Sequence, residues 1–183
     1  MHYLVFHLTI ADTITCFITL PMETAWRATI EWYAGNLLCK ALMMVRTGGF
    51  ILSSNLLVVL SIDRYISISR PLSSLNAVRQ RNRARLMVIM AWLVTIIFTI
   101  PQAIIFRVLK HPERDFYQCT TFNFFEELSS PVMIGTTTHL YLGGLTPIQW
   151  ADLYHTIFNC EIFFIPLIII VASYVKIYLI LTR

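Results

Sequence analysis

The chain has 183 residues, 57% of them hydrophobic and only 13% charged, with a mean hydropathy of +0.68. Soluble domains carry about 25% charged residues, so this composition argues against a soluble enzyme and against a disordered regulator. The net charge of +4 does not point to nucleic acid either, because the basic residues cluster between segments too apolar to be soluble.

Four apolar stretches, at about 3–24, 37–66, 86–106 and 154–182, are each long enough to cross a bilayer as a helix. Nothing alternates like a barrel strand, and backbone groups in lipid must be satisfied internally, so helices are the solution available. The predicted fold is an all-α membrane protein with four transmembrane helices in one bundle. Asp12 falls near the middle of the first span. An intramembrane carboxylate is costly unless paired or hydrated, which leaves two readings: an acid hydrogen-bonded to hydroxyls such as Ser53 or Ser54, or a cation site or switch. Glu23, Trp26 and Arg27 close that span, and Trp26, Trp32, Tyr33 and Trp150 lie beyond span ends, as interfacial aromatics do.

In the second span, Arg46 and Asp63 are separated by 16 residues, about 24 Å of helix. That is less than the roughly 30 Å of hydrocarbon. Arg46 therefore either snorkels to the outer surface or faces a wet cavity, and Glu23 at a similar depth offers a simple ion pair as the alternative. Asp63-Arg64-Tyr65 closes this span. The basic loop 67–85 follows, and from Arg64 to His111 there is no acidic residue. Positive charge beside apolar spans marks the cytoplasmic side; lipid headgroup contacts and a partner-binding surface are both compatible with it.

With that loop inside, the long loop 107–152 lies outside. Cys39 at the outer end of the second span and Cys119 in that loop share an oxidising compartment, so a disulfide between them is expected. Cys16 and Cys160 fall inside spans and read as buried thiols. No metal-ligand spacing, nucleophile–base pair or phosphate loop occurs, so the predicted molecule is not an enzyme and needs no cofactor.

Asp63-Arg64-Tyr65, Pro71-Leu72, Trp92, and Pro166 with Tyr174, in that order and at those separations, resemble helices three, four and five of a rhodopsin-like (class A) G-protein-coupled receptor. Leu8, Ala11 and Asp12 look like its helix two, and Trp32 and Gly35 before Cys39 like its first outer loop. A narrower resemblance is carried by Trp32–Lys40, Pro101–Arg107, Tyr117–Thr121 and Leu181-Thr182-Arg183, which are similar to gonadotropin-releasing hormone receptors. Their invertebrate relatives are the adipokinetic hormone, corazonin and adipokinetic hormone/corazonin-related peptide receptors. His7–Asp12 and Phe122–Phe125 lean toward the invertebrate branch, most closely the adipokinetic hormone type.

The resemblance implies a multi-pass plasma-membrane receptor for a short peptide with a blocked N-terminus and an amidated C-terminus, signalling to a heterotrimeric G protein. Glu23, Trp26, Arg27, Arg46 and Gln102 would contact the peptide. Asp12 and Ser53 would contribute to an allosteric sodium site. Asp63 would hold Arg64 at rest, with Tyr65 beside it. Leu72 would insert into the G protein, Pro71 would set the turn, Pro166 would supply a helix bulge, and Tyr174 would meet Arg64 in the active state. Cys39–Cys119 would be the family disulfide. The chain would correspond to helices two to five of seven. The segment Glu126–Trp150 departs from the family pattern, as a lineage insertion or translated intron sequence. The rival reading is a truncated four-span membrane protein that pairs with other receptors and does not signal.

Overall fold

The computed structural model describes residues 2–29, 31–69, 77–111, 115–121 and 147–182. Helix α1 runs from His2 to Thr29, α2 from Gly35 to Ser69 and α3 from Ala77 to Ile105. Strands β1 (Phe106–Lys110) and β2 (Tyr117–Thr121) form an antiparallel hairpin. Helix α4 is one rod built from Pro147–Asn159, Cys160–Phe164 and Ile165–Leu181. All four helices contain a segment long and apolar enough to cross a membrane.

Two of the helices contain a π-turn, and each has the same cause. Thr15–Thr19 in α1 comes just before Leu20-Pro21, and Cys160–Phe164 in α4 just before Ile165-Pro166. Proline has no N–H and crowds the carbonyl four residues back. The residue before each proline donates one residue further than usual: Leu20 N–H to the Thr15 carbonyl, Ile165 N–H to the Cys160 carbonyl. A π-turn inserts a residue into the ladder, which rotates the outer half of α1 and the inner half of α4 against their regular continuations.

Helix α2 is the common neighbour on which α1, α3 and α4 all pack. The main core joins Leu4 and Ala11 of α1, Leu52, Leu56 and Val59 of α2, and Ala84, Val88 and Ala91 of α3. Small residues let such helices approach closely in lipid. Gly49 shows how closely: a Cβ there would stand 2.7 Å from Thr15 Oγ1, inside the π-turn of α1. The opposite faces carry apolar side chains such as Phe17, Ile97, Ile104 and Ile168 outward, as a lipid-facing surface requires.

The hairpin is the departure from a purely helical chain. It begins one residue before the predicted loop 107–152, at the end of the bundle where α2 starts, with Val108 opposite Cys119. Cys119 is disulfide-bonded to Cys39 with their Cα atoms 5.7 Å apart, so the expected pairing is formed. Asn36 Oδ1 accepts the Val108 N–H at 3.1 Å, and the Trp32 N–H donates to the Tyr117 carbonyl at 2.8 Å. Lys110 Nζ sits 2.6 Å from Asp115 Oδ1 at the exposed tip; that contact holds the Asp115 carboxyl below its ordinary range and the Lys110 ammonium above its own.

Three sequence expectations are placed differently. Cys16 is exposed on α1 and Cys160 only half-buried on α4, so neither is a fully buried thiol. Trp32 is not an interfacial anchor: it is buried, donates from Nε1 to the Gly35 carbonyl at 2.9 Å, and packs with Trp26 against the disulfide. Gly35 takes φ +74°, a conformation glycine adopts without penalty, and this lets α2 start directly beneath that indole. At the other end, Ala77–Arg85 of the basic loop is the first stretch of α3. Arg, Gln and Ala are good helix formers, and a helix can continue past the hydrocarbon into the headgroup layer.

Candidate functional site

The hairpin end of the bundle opens into two adjoining clefts. The shallower, of about 350 Å³, is lined by Glu23, Trp26 and Arg27 of α1, Arg46 of α2 and Gln118 of β2. The deeper, of about 410 Å³, is lined among others by Met43, Arg46 and Phe50 of α2, Gln102 of α3, and His155 and Phe158 of α4. Arg46 is common to both, so its guanidinium stands between them.

Arg46 Nη1 lies 2.6 Å from Glu23 Oε1, and Arg27 Nε lies 3.4 Å from Glu23 Oε2. The Arg46 contact is off hydrogen-bond angle, leaving Oε1 without a hydrogen-bond partner among the described residues; charge, rather than a directed bond, holds the pair. One carboxylate between two guanidiniums leaves a net positive charge at the cleft wall. Such a wall suits carbonyl and carboxylate oxygens of a ligand. The ion pair and the cavity were alternatives in the sequence, and here Arg46 takes part in both.

Gln102 Nε2 donates to the Tyr154 hydroxyl at 2.9 Å, and that hydroxyl donates to the Phe98 carbonyl at 2.7 Å. This chain of bonds ties α3 to α4 and fixes one wall of the deeper cleft. The disulfide and hairpin stand over its rim, with Phe106 lining the deeper cleft and Gln118 the shallower.

Midway along the bundle, Ser53 Oγ donates to Asp12 Oδ1 at 2.9 Å. A carboxylate with a hydroxyl offers hard oxygen donors, which fit a cation such as sodium. Asp12 is exposed on one flank. Ser54 turns elsewhere: its Oγ donates to the Ile162 carbonyl at 2.8 Å. Ile162 is four residues before Pro166, so the regular amide partner of that carbonyl does not exist, and the serine hydroxyl replaces it.

At the end of the bundle opposite the hairpin Asp63 is buried, and its Oδ1 accepts from Arg83 Nη2 at 2.7 Å. Arg83 is a partner the sequence reading did not name. Arg64 follows Asp63 on α2, half-buried; the Lys176 ammonium lies 5.6 Å from the Tyr65 ring centre, and Tyr174 is exposed on α4. Pro71 and Leu72 lie outside the described residues, as does the segment Phe122–Phe125. Glu161 was also missed. It is a buried acid in the π-turn of α4, facing α2, and its Oε2 has no hydrogen-bond partner among the described residues. The rule that singled out Asp12, an ionisable residue inside a span, would have found it.

Residues 1–183 match the family model described as 7 transmembrane receptor (rhodopsin family). The chain belongs to this family. Similar proteins include the gonadotropin-releasing hormone receptor of Sus scrofa, 32% identical over 190 residues that cover all of this chain and 50% of that receptor. The gonadotropin-releasing hormone receptor of Octopus vulgaris is 38% identical over 118 residues, 63% of this chain and 28% of the relative. The gonadotropin-releasing hormone II receptor of Clarias gariepinus is 34% identical over 117 residues, 64% and 30% of the two chains. The chain spans half the length of the pig receptor and less of the other two in these matches. The proteins of this family are multi-pass plasma-membrane receptors and not enzymes.

Proposed function

We propose that this chain forms helices two to five of a seven-helix receptor for a short amidated neuropeptide of the gonadotropin-releasing hormone and adipokinetic hormone type. His7–Asp12 leans toward the invertebrate branch, of the adipokinetic hormone or adipokinetic hormone/corazonin-related peptide type. The observation that carries the reading is the Glu23–Arg46 pair at the wall between two clefts, with Trp26, Arg27 and Gln102 around it. A peptide blocked at both ends presents carbonyls and an amide rather than terminal charges. Arg46 and Arg27 donate to those carbonyls, Glu23 accepts from amide N–H groups, Trp26 offers an aromatic face, and the apolar residues of the deeper cleft take a side chain.

Binding shifts the packing of the helices only by the peptide's differential affinity for the two arrangements. In this reading the resting arrangement keeps Asp63 neutralised, and the readout is Arg64, with Tyr174, Pro71 and Leu72, meeting a heterotrimeric G protein. Asp12 and Ser53 would hold the sodium ion that favours the resting state.

The test is Arg46→Ala in a receptor that supplies the remaining helices, assayed by calcium or cAMP response to a panel of amidated neuropeptides. Removing a charged donor from a peptide carbonyl costs about 2 kcal/mol, roughly a thirtyfold loss of potency. Surface expression should hold. Unchanged potency with a responding peptide would remove Arg46 from the peptide site, and silence toward every peptide in the wild-type receptor would favour a non-signalling four-span protein.

A further inference from the structure

The cytoplasmic end of α3 carries more positive charge than the acids among the described residues neutralise. Arg79, Arg81, Arg83 and Arg85 stand within its first nine residues, and no acid occurs between Arg64 and His111. Asp63 is the acid at this end, and Arg83 occupies it. Arg81 and Arg85 are exposed and have no ion-pair partner among the described residues. They are four residues apart on one helix, where like charges face each other and destabilise it by a few tenths of a kcal/mol.

Their depth in the bilayer follows from the same helix. Leu86, Ile89, Leu93, Ile97, Ile100 and Ile104 form an exposed apolar stripe at helical spacing, which is the lipid-facing side of α3. Leu86–Ile105 spans twenty residues, about 30 Å at 1.5 Å per residue, equal to the hydrocarbon thickness. Arg85 therefore stands at the hydrocarbon edge on the flank of the stripe. Arg81 lies one turn, about 6 Å, further out, at the level of the lipid phosphates.

We propose that Arg81 and Arg85 form a binding site for the headgroup of an anionic phospholipid, whose acyl chains lie along the Leu86–Ile97 stripe. The guanidiniums bind the phosphate through paired N–H donors, and the headgroup charge relieves the repulsion between the two arginines. A lipid satisfies both halves of the surface at once, since Arg85 stands on the flank of the apolar stripe and Arg81 one turn beyond it. A soluble phosphate satisfies only the first half.

The full chain, purified in mild detergent, is titrated with dioleoylphosphatidylserine, dioleoylphosphatidylcholine or soluble glycerophosphoserine, and retained ligand is counted by native mass spectrometry. Phosphatidylserine should be retained in preference to the other two. Each of Arg81→Gln and Arg85→Gln should weaken that retention about fivefold, and the double variant about thirtyfold, from about 1 kcal/mol per basic residue at a membrane surface. Arg81→Lys with Arg85→Lys should retain most of it. Lys176→Gln removes one charge at the same end of α4 and should change it by less than about twofold. Helix content and an intact Cys39–Cys119 bond confirm folding of each variant. Wild-type retention by the double glutamine variant overturns the site, equal loss with Lys176→Gln reduces it to net charge, and equal retention of glycerophosphoserine reduces it to a phosphate contact.

Discussion

Replacing Cys39 and Cys119 together by serine removes the covalent link that holds the β1–β2 hairpin over the outer clefts. The cysteines are 80 residues apart in sequence. For a chain that unfolds to a coil, closing a loop of that length restricts the unfolded state by about 4.5 kcal/mol. In lipid α2 and α3 stay helical, so the freed loop is effectively shorter and the loss falls toward about 3 kcal/mol, the value for a loop of some fifteen residues. What still holds the hairpin is local: the Val108 N–H to Asn36, the Trp32 N–H to Tyr117 and the packing of Trp32. Hydrogen exchange of the hairpin amides in nanodiscs reads the difference directly. Local opening that is 3 kcal/mol easier should exchange Val108 and Cys119 on the order of 100-fold faster in the double serine variant, with the α2 and α3 core amides unchanged. Exchange within about threefold of wild type at the hairpin would refute the reasoning, because backbone bonds alone would then hold it.

Three further outcomes are expected. Ser54→Ala should lower thermal stability by about 0.6–1.7 kcal/mol, since the Ile162 carbonyl loses the hydroxyl that replaces its missing amide. Adding Pro166→Ala, which restores an N–H, should recover most of that loss in a double-mutant cycle, and additive losses would show that the two are unrelated. Gly49→Val should cost about 1–3 kcal/mol by overpacking, because its Cβ meets Thr15 Oγ1 at 2.7 Å; Thr15→Gly in the same chain should relieve part of it, and thermal unfolding at wild-type temperature would contradict the close approach. In the completed receptor, Arg64→Ala should reduce G-protein activation while peptide binding holds, and intact signalling would count against the role proposed for Arg64.

What was legible in the sequence rests on local sums. Spans follow from about twenty apolar residues in a row. The cysteine pair follows from which thiols share the outer compartment. The site residues Glu23 and Arg46 were visible as charges at matching depth, since depth is a count of residues at a fixed rise. Gln102 was read from resemblance alone, and its bond to Tyr154 had no local signal.

The sequence by itself therefore determined a membrane protein with four helices and its pairing of Cys39 with Cys119, because a bilayer reads each segment one at a time. The tertiary structure decided which way those segments face. The neighbours Ser53 and Ser54 go to different helices, one to Asp12 and the other to Ile162. Asp63 takes Arg83, Trp32 turns inward beneath a hairpin, and Glu161 comes to face α2. All but Trp32, which lies in the connection between α1 and α2, depend on the rotational phase of a helix. Two π-turns before Pro21 and Pro166 reset that phase, and contacts across 20 to 108 residues then lock it. No count along a single segment contains that information.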